Sequence, residues 1–148
     1  MQKLIFKLAT FVSHFEGFSA KPYKCPAGVW TIGYGTTRGV NKDTKSITMT
    51  QAYNLLVAEL FSYAQKIKTY FPTLTEQQVL ACTSLVYNIG FSRFINSSIA
   101  KNIRRGDFDG ACASIALYNK ARINGKLTVL KGLDRRRKAE MSIWRNGL

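Results

Sequence analysis

The spacing of the apolar residues changes twice along this chain, and these changes limit the folds that it can adopt. Between Leu4 and Phe15 the apolar residues recur at the spacing of one buried helix face. From Gly28 onward the pattern alternates, which is typical of a short strand with a buried aromatic face. After Ser46 the helical spacing resumes. The pattern predicts a helix, a small sheet and then further helices, which is an α+β architecture.

Capping residues and glycines set the expected bounds of the later elements. Thr48 with Gln51, and Thr75 with Gln78, form capping-box patterns ahead of apolar segments. The predicted helices span residues 49–70, 76–89, 97–105, 108–118 and 133–144, with a loop around Asn124, Gly125 and Gly132. One domain of residues 1–148 is expected, with a sheet lobe at about 17–47, a linking helix at about 49–70, and a helical lobe at about 75–148 that includes the N-terminal helix 3–16. We expect a cleft where the two lobes meet.

The composition favours a folded protein with an anionic partner. A chain of 148 residues is long enough for one domain with a sizeable core, and its 46% hydrophobic content excludes a disordered basic tail. Lys and Arg number 22 against 8 Asp and Glu, which gives a net charge of +14. Nucleic acid, an anionic membrane and the bacterial cell wall all fit this charge, because long-range attraction does not distinguish between polyanions.

The three cysteines predict neither a disulfide framework nor a zinc site. Their number is odd, no Cys-x-x-Cys pair occurs, and the chain has a single histidine. Cys82 and Cys112 lie in apolar helical patterns and are interpreted as small buried side chains. Cys25 differs because it lies in a loop that contains Lys and Pro. No metal or other cofactor is expected.

The N-terminal segment lacks the pattern of a signal peptide. Lys7 interrupts its apolar stretch, and no small-residue cleavage site follows. The longest uncharged stretch, Gln77 to Ser92, is too short and too polar for a transmembrane helix. A soluble protein made in the cytosol is therefore expected.

Glu16, Cys25 and Thr31 are the candidate catalytic residues. Gly17 can cap the first helix and leaves Glu16 in its last turn, where the helix dipole disfavours a negative charge. The protonated form of Glu16 is therefore favoured, as a general acid requires. A surface glutamate would have the same sequence pattern. Eight residues separate Glu16 from Cys25, and five separate Cys25 from Thr31. A hairpin would bring the three side chains to one cleft.

Thr31 shares a strand face with two glycines, Gly33 and Gly35. Their missing side chains leave room for a ligand to approach the backbone closely. The alternative is that the glycines serve only the curvature of the sheet or a bulge. Both interpretations stay open at the level of sequence.

The candidate residues resemble the catalytic pattern of the phage-type lysozymes of glycoside hydrolase family 24. In that pattern Glu is followed after eight residues by Asp or Cys, and after five more by Thr. The resemblance covers nearly the whole chain and includes Tyr23, Gly28, Gln78, Ala81, Asn119 and the segments 31–35, 74–75, 87–90, 97–98, 106–107, 132–133, 136–137 and 139–140. The chain departs from the pattern at Thr36, where relatives often have His, and at Tyr118, where they usually have Trp.

The resemblance implies a lysozyme-like α+β fold and an endolysin that causes host cell wall lysis. Its reaction would be hydrolysis of the β-1,4 bond between N-acetylmuramic acid and N-acetylglucosamine in peptidoglycan. Glu16 would protonate the leaving oxygen, while Cys25 and Thr31 would position or activate the attacking water. The weaker candidates for substrate binding are Tyr34, Tyr87 and Asn88.

The chemistry of the cysteine leaves two stereochemical outcomes open. Inversion at the anomeric carbon is expected, because a water must fit between acid and base. Direct attack by a Cys25 thiolate would instead give retention. Nearby cations such as Lys21 or Lys24 would lower the pKa of the thiol.

The same resemblance implies the partners and the location. Peptidoglycan glycan strands are the substrate, a holin is needed for release, nucleic acid is not expected, and the chain is expected to be a monomer. The protein would accumulate in the host cytoplasm and reach the periplasm or cell wall at lysis.

Three rival functions fit single features of the sequence. A DNA-binding module would use the positive charge, although the basic run 135–138 is more often a solvated helix face or a phosphate patch. A Cys–His hydrolase would pair Cys25 with His14. A membrane-active protein would act through an amphipathic helix at 133–144.

Overall fold

A computed structural model describes residues 1–148 and contains seven helices and two antiparallel hairpins. The elements are α1 (Gln2–Glu16), β1 (Ser19–Lys24), β2 (Trp30–Gly33), α2 (Met49–Tyr70), α3 (Glu76–Ile89), α4 (Phe91–Ile95), α5 (Ser98–Arg104), α6 (Phe108–Ile115), β3 (Lys120–Ile123), β4 (Lys126–Val129) and α7 (Lys131–Asn146). The predicted α+β class is confirmed. No helix is long and apolar enough to cross a membrane.

The capping signals predict α2 and α3 correctly. In α3 the Thr75 hydroxyl accepts a hydrogen bond from the backbone N–H of Gln78, whose side chain in turn accepts one from the N–H of Thr75. Thr48 and Gln51 make the same reciprocal pair ahead of α2, at 2.8 and 3.1 Å. Each pair satisfies two backbone donors that a helix start leaves without partners.

The loop predicted around Asn124 and Gly125 is a β-hairpin. Lys120 pairs with Val129 and Ile123 with Lys126, so two residues form the turn. Asn124 and Gly125 have φ values of 50° and 79°. Asn-Gly is the residue pair that favours a tight hairpin turn with positive φ at both positions. The loop prediction is wrong here, because the two residues between β3 and β4 form a tight turn that lets the flanking segments pair.

The chain forms two compact units. The N-terminal unit comprises residues 2–61, and the C-terminal unit comprises residues 62–148 together with Met1. The N-terminal unit contains α1, β1 and β2. The buried face of α1 consists of Ile5, Leu8, Ala9 and Val12. Elsewhere on the helix, the Tyr53 hydroxyl donates a hydrogen bond of 2.8 Å to the Phe6 carbonyl. A single lysozyme-like domain over 1–148 stays a prediction.

The core of the C-terminal unit is built on α3, which packs against α7. Eight consecutive residues of α3 are buried, from Val79 to Val86. Cys82 is among them and Cys112 is buried on α6, as the sequence predicts. Ile143 and Trp144 of α7 are buried as well. The apolar face of α7 is therefore occupied by the protein itself, which argues against a membrane-active role for this helix.

The basic run at 135–138 is not a uniformly solvated face. Arg136 and Arg137 are buried and share the carboxylate of Glu140, with Arg137 Nε 2.7 Å and Arg136 Nε 3.4 Å from its oxygens. The Ser84 hydroxyl donates to the same carboxylate at 2.5 Å. Positions i, i+3 and i+4 on a helix are neighbours, and a buried carboxylate requires such partners. These two arginines thus hold α7 rather than face a phosphate.

Candidate active site

Glu16 occupies the last turn of α1, as its spacing from Gly17 predicts. The backbone N–H of Gly17 donates to the Ser13 carbonyl at 3.2 Å, and Gly17 has a φ of 70°. A glycine in the left-handed region ends the helix without strain. The Glu16 side chain is half-buried. The cap therefore fixes the point at which this carboxyl group leaves the helix.

Cys25 lies in the turn that joins β1 to β2. Its N–H donates to the Val29 carbonyl at 3.0 Å, and the N–H of Gly28 donates to the Cys25 carbonyl at 2.8 Å. Gly28 has a φ of 80°, which this turn requires. The thiol is half-buried and free of any disulfide. A compact, hydrogen-bonded turn thus fixes the backbone that carries the thiol.

Thr31 is buried on β2, opposite Tyr23 of β1. Its hydroxyl donates a hydrogen bond of 2.9 Å to the Val29 carbonyl. Thr31 is also among the residues that lower the pKa of Cys25. Cys25 and Thr31 therefore lie on the same hairpin. Glu16 lies in the same compact unit.

The surroundings of the sulfur favour the thiolate. A backbone hydrogen bond from Val29 holds the pKa of Cys25 below its ordinary value, and Ala27 and Thr31 act in the same direction, while partial burial opposes them. Sequence attributed this effect to lysines, but the ammonium of Lys24 lies over the Trp30 ring, 5.6 Å from its centre. Hydrogen bonds to a charged form favour that form. The cause is thus the main chain and not a neighbouring cation.

His14 does not take part in this arrangement. It is exposed on α1, and it is not among the groups that shift the pKa of Cys25. The structure contains no cluster of three or more His, Cys, Asp or Glu side chains that could hold a metal ion. The groups around the sulfur are a hydroxyl and backbone amides, which suit a base or a water-binding group rather than a Cys–His nucleophile.

Gly33 does not leave open space for a ligand. A Cβ atom at this position would lie 3.0 Å from the Cβ of Ala52 and 3.3 Å from Cδ1 of Ile47. The absent side chain therefore makes room for α2 and the segment before it. The sequence alone does not show whether a ligand or a helix approaches Gly33, because close approach by either one requires glycine.

The weaker candidate residues differ in their surroundings. Tyr34 is buried, and its ring lies 5.5 Å from that of Phe18. Tyr87 is half-buried and Asn88 exposed, both near the end of α3 in the C-terminal unit. Thr36 is also buried, and its backbone exchanges two hydrogen bonds of 2.9 Å with Ile32. Their roles in substrate binding stay predictions.

The chain matches the family described as phage lysozyme over residues 13–140. It is 38% identical over 134 residues to an endolysin of Acyrthosiphon pisum secondary endosymbiont phage 1, which covers 90% of this chain and 91% of that protein. A solved endolysin from Escherichia coli O157:H7 phage FAHEc1 superimposes with a TM-score of 0.81 at 28% identity, covering 96% and 92% of the two chains. The muramidase domain of SpmX from Asticaccaulis excentricus gives a TM-score of 0.83 at 29% identity over 93% and 94%.

These likenesses extend over both compact units, and the matched segment contains Glu16, Cys25 and Thr31. The structural agreement covers more than nine-tenths of the chain. A match of this length goes well beyond a shared motif. The chain therefore belongs to the phage lysozyme family.

Proposed function

We propose that this lysozyme, a glycoside hydrolase that degrades peptidoglycan, cleaves the β-1,4 bond between N-acetylmuramic acid and N-acetylglucosamine. The family supports the enzyme class and the polymer. The choice of bond rests on the resemblance of Glu16, Cys25 and Thr31 to the catalytic pattern. The observation that carries the proposal is the β1–β2 hairpin, whose turn holds a half-buried Cys25 on the same element as Thr31 and lowers the pKa of the thiol through the main chain of Val29.

Glu16 is the proposed general acid. It transfers its proton to the glycosidic oxygen as the bond from that oxygen to the anomeric carbon breaks. Its half-buried position at the end of α1 supports this role, because a capped helix limits the directions that the carboxyl group can take. The leaving sugar then departs with a neutral hydroxyl group at the former glycosidic oxygen.

Cys25 and Thr31 are the proposed water-binding pair. The Cys25 thiolate accepts a proton from the water while the water oxygen forms its bond to the anomeric carbon. The Thr31 hydroxyl orients that water, and it can do so because its own position is set by the bond to the Val29 carbonyl. The lowered pKa of Cys25 supports this role, since a larger fraction of the thiol is then ionised near neutrality.

We expect inversion, because water attacks the face opposite the leaving oxygen. Product anomers followed by NMR in the first minutes of reaction test this step. An initial product with the configuration of the substrate would show instead that the Cys25 sulfur attacks carbon directly. The weaker candidates for sugar contacts remain Tyr34, Tyr87 and Asn88. Tyr87 is half-buried and Asn88 is exposed, while Tyr34 is buried beside Phe18.

The deciding experiment measures turbidity loss of permeabilised Gram-negative cell walls, with mass spectrometry of the products. Glu16→Gln should lose about a hundredfold or more in rate, whereas Glu76→Gln, a change at an exposed helix-start carboxyl, should be close to wild type. Cys25→Asp should retain activity and Cys25→Ala should not. Undiminished lysis by Glu16→Gln, or products without reducing N-acetylmuramic ends, would contradict the proposal.

The net charge of +14 supports attraction to an anionic wall. Lysis should therefore weaken as salt is raised from low to physiological ionic strength. A rate of lysis of whole cell walls that does not depend on salt would contradict the proposed electrostatic attraction. Soluble oligosaccharide fragments, which carry less charge, provide the control.

We propose further that the chain is a monomer that accumulates in the host cytoplasm and depends on a holin for release to the wall. The resemblance alone supports this. Expression in a bacterial host with and without a holin gene tests it, because lysis should require the holin. Lysis at the same time without it would contradict the dependence.

A further inference from the structure

The hairpin of β3 and β4 exposes an unusual number of aliphatic side chains. Ile123, Leu127 and Val129 have exposed fractions of 47%, 62% and 53%. The two strands pack mainly against each other and not against a helix. Isolated exposed apolar residues are normal on a protein surface, but several adjacent ones on one projecting element indicate an interaction site.

The register of the hairpin sorts these side chains onto two faces. Residues directly opposite each other in an antiparallel pair share a face. Lys120 pairs with Val129, and Arg122 with Leu127, so one face has two cations on β3 and two aliphatic side chains on β4. We name it the Leu127 face. Ile123 and Lys126 pair with each other on the opposite face.

Every charged residue between Asn119 and Leu133 is positive. No Asp or Glu occurs between Asn119 and Leu133, whereas Lys120, Arg122, Lys126 and Lys131 all do. At the turn the Arg122 guanidinium donates to the carbonyl of Gly125 at 3.2 Å. The cations thus lie beside the exposed aliphatic groups, and no carboxylate within this segment neutralises them.

The base of the hairpin is held in place. The N–H of Leu130 donates to the Asn119 carbonyl at 3.0 Å, and the Asn119 amide donates to the Asp134 carboxylate at 3.1 Å. The tight Asn124–Gly125 turn fixes the tip. The exposed faces therefore belong to an ordered element and not to a frayed loop.

We propose that the Leu127 face docks on the surface of an anionic phospholipid membrane. Aliphatic side chains that enter the acyl boundary, flanked by Lys and Arg at the headgroups, are the combination that such a surface binds. Nucleic acid and glycan strands fit less well, because the face offers them neither aromatic rings for stacking nor neutral polar groups. This inference is independent of the proposed catalytic residues.

Co-sedimentation of the whole protein with vesicles tests the proposal. Wild type should bind vesicles of phosphatidylcholine with phosphatidylglycerol and should bind pure phosphatidylcholine vesicles weakly. The double variant Leu127→Ser, Val129→Ser keeps every charge, yet it should bind the anionic vesicles at least about tenfold more weakly. Ile123→Ser, the matched change on the opposite face, should alter binding by less than about twofold.

A spectroscopic measurement locates the contact. Leu127→Trp should show a blue-shifted emission component on anionic vesicles that wild type and Ile123→Trp lack. Hydrolysis of soluble peptidoglycan fragments should be the same in all variants, which verifies that they are folded. Unchanged vesicle binding by the double variant, loss of binding to isolated cell walls instead of vesicles, or loss of a concentration-dependent dimer would each overturn the proposal.

Discussion

Cys25 and Cys82 are the same residue in opposite surroundings. Cys25 lies half-buried in a turn of the N-terminal unit, where a hydrogen bond from the Val29 backbone lowers its pKa. Cys82 is fully buried in α3 of the C-terminal unit, where burial first and the Glu140 carboxylate second raise its pKa far above the ordinary value. The comparison teaches that donors and solvent access, not residue type, decide which thiol is available for chemistry.

The glutamates repeat this contrast. Glu16 is half-buried at the end of α1, whereas Glu140 is fully buried beside two guanidinium groups and a hydroxyl. Glu16 thus keeps part of its side chain in solvent, whereas Glu140 stabilises the core of the C-terminal unit. Four measurements test this contrast between the two units.

The largest expected difference is in the alkylation rates of the three thiols. In the native protein iodoacetamide should modify Cys25 at least about a hundredfold faster than Cys82 or Cys112, because only Cys25 combines access with a lowered pKa. Mass spectrometry of peptides gives the three rates. All three should react alike in denaturant, and faster modification of Cys82 in the native state would break the comparison.

Removal of the buried charge at Glu140 should have the largest effect on stability. Glu140→Gln should lower the free energy of unfolding by about 3 to 5 kcal/mol, because two buried guanidinium groups lose their shared carboxylate. Urea unfolding of both proteins measures this change in the free energy of unfolding. Asp134→Asn on the same helix, whose partner Lys138 is largely exposed, should change stability far less. Equal effects of the two changes on the free energy of unfolding would contradict the stabilising role of the buried Glu140 carboxylate.

A methyl group at Gly33 tests how tightly the strand of the candidate site is packed. Gly33→Ala should cost about 2 to 4 kcal/mol, because the backbone has positive φ and the new Cβ would meet Ala52. Gly39→Ala has a similar φ of 71° but open space around it, so it should cost only about 1 to 2 kcal/mol. Thermal unfolding of both variants gives the difference, and no difference would mean that the contact with α2 is loose.

The pH dependence of stability should report the raised pKa of Cys82. Above the ordinary thiol pKa the unfolded chain ionises at this residue while the native chain does not, so the native state binds more protons and stability falls as pH rises. The loss attributable to Cys82 is at most about 1.4 kcal/mol per pH unit. Cys82→Ala should flatten the slope between pH values of about 8.5 and 10.5. An unchanged slope would contradict the raised pKa.

Sequence predicted the elements that rest on local signals. Capping boxes located α2 and α3, and Gly17 located the end of α1. The β3–β4 hairpin was missed although Asn124–Gly125 is a hairpin signal, because the segment is short and lacks a buried face that would strengthen the pattern.

The sequence did not predict properties that depend on which residues pack around a given side chain in the folded protein. Arg137 belongs to a basic run, yet it is fully buried, since Glu140 lies one helical turn away. Gly33 makes room for Ala52, which is nineteen residues along the chain and invisible to local spacing. The lowered pKa of Cys25 depends on the direction of backbone N–H groups in a turn, which side-chain identities do not encode.

The turn at Cys25 has a consequence for the tolerance of this position to sequence change. Its main donor to the sulfur comes from the main chain of Val29, so replacing the Val29 side chain does not delete it. Any acceptor of suitable size at position 25, thiolate or carboxylate, would meet the same donor. Two chemically different residues can therefore alternate at this position in the course of evolution while the scaffold around them is retained.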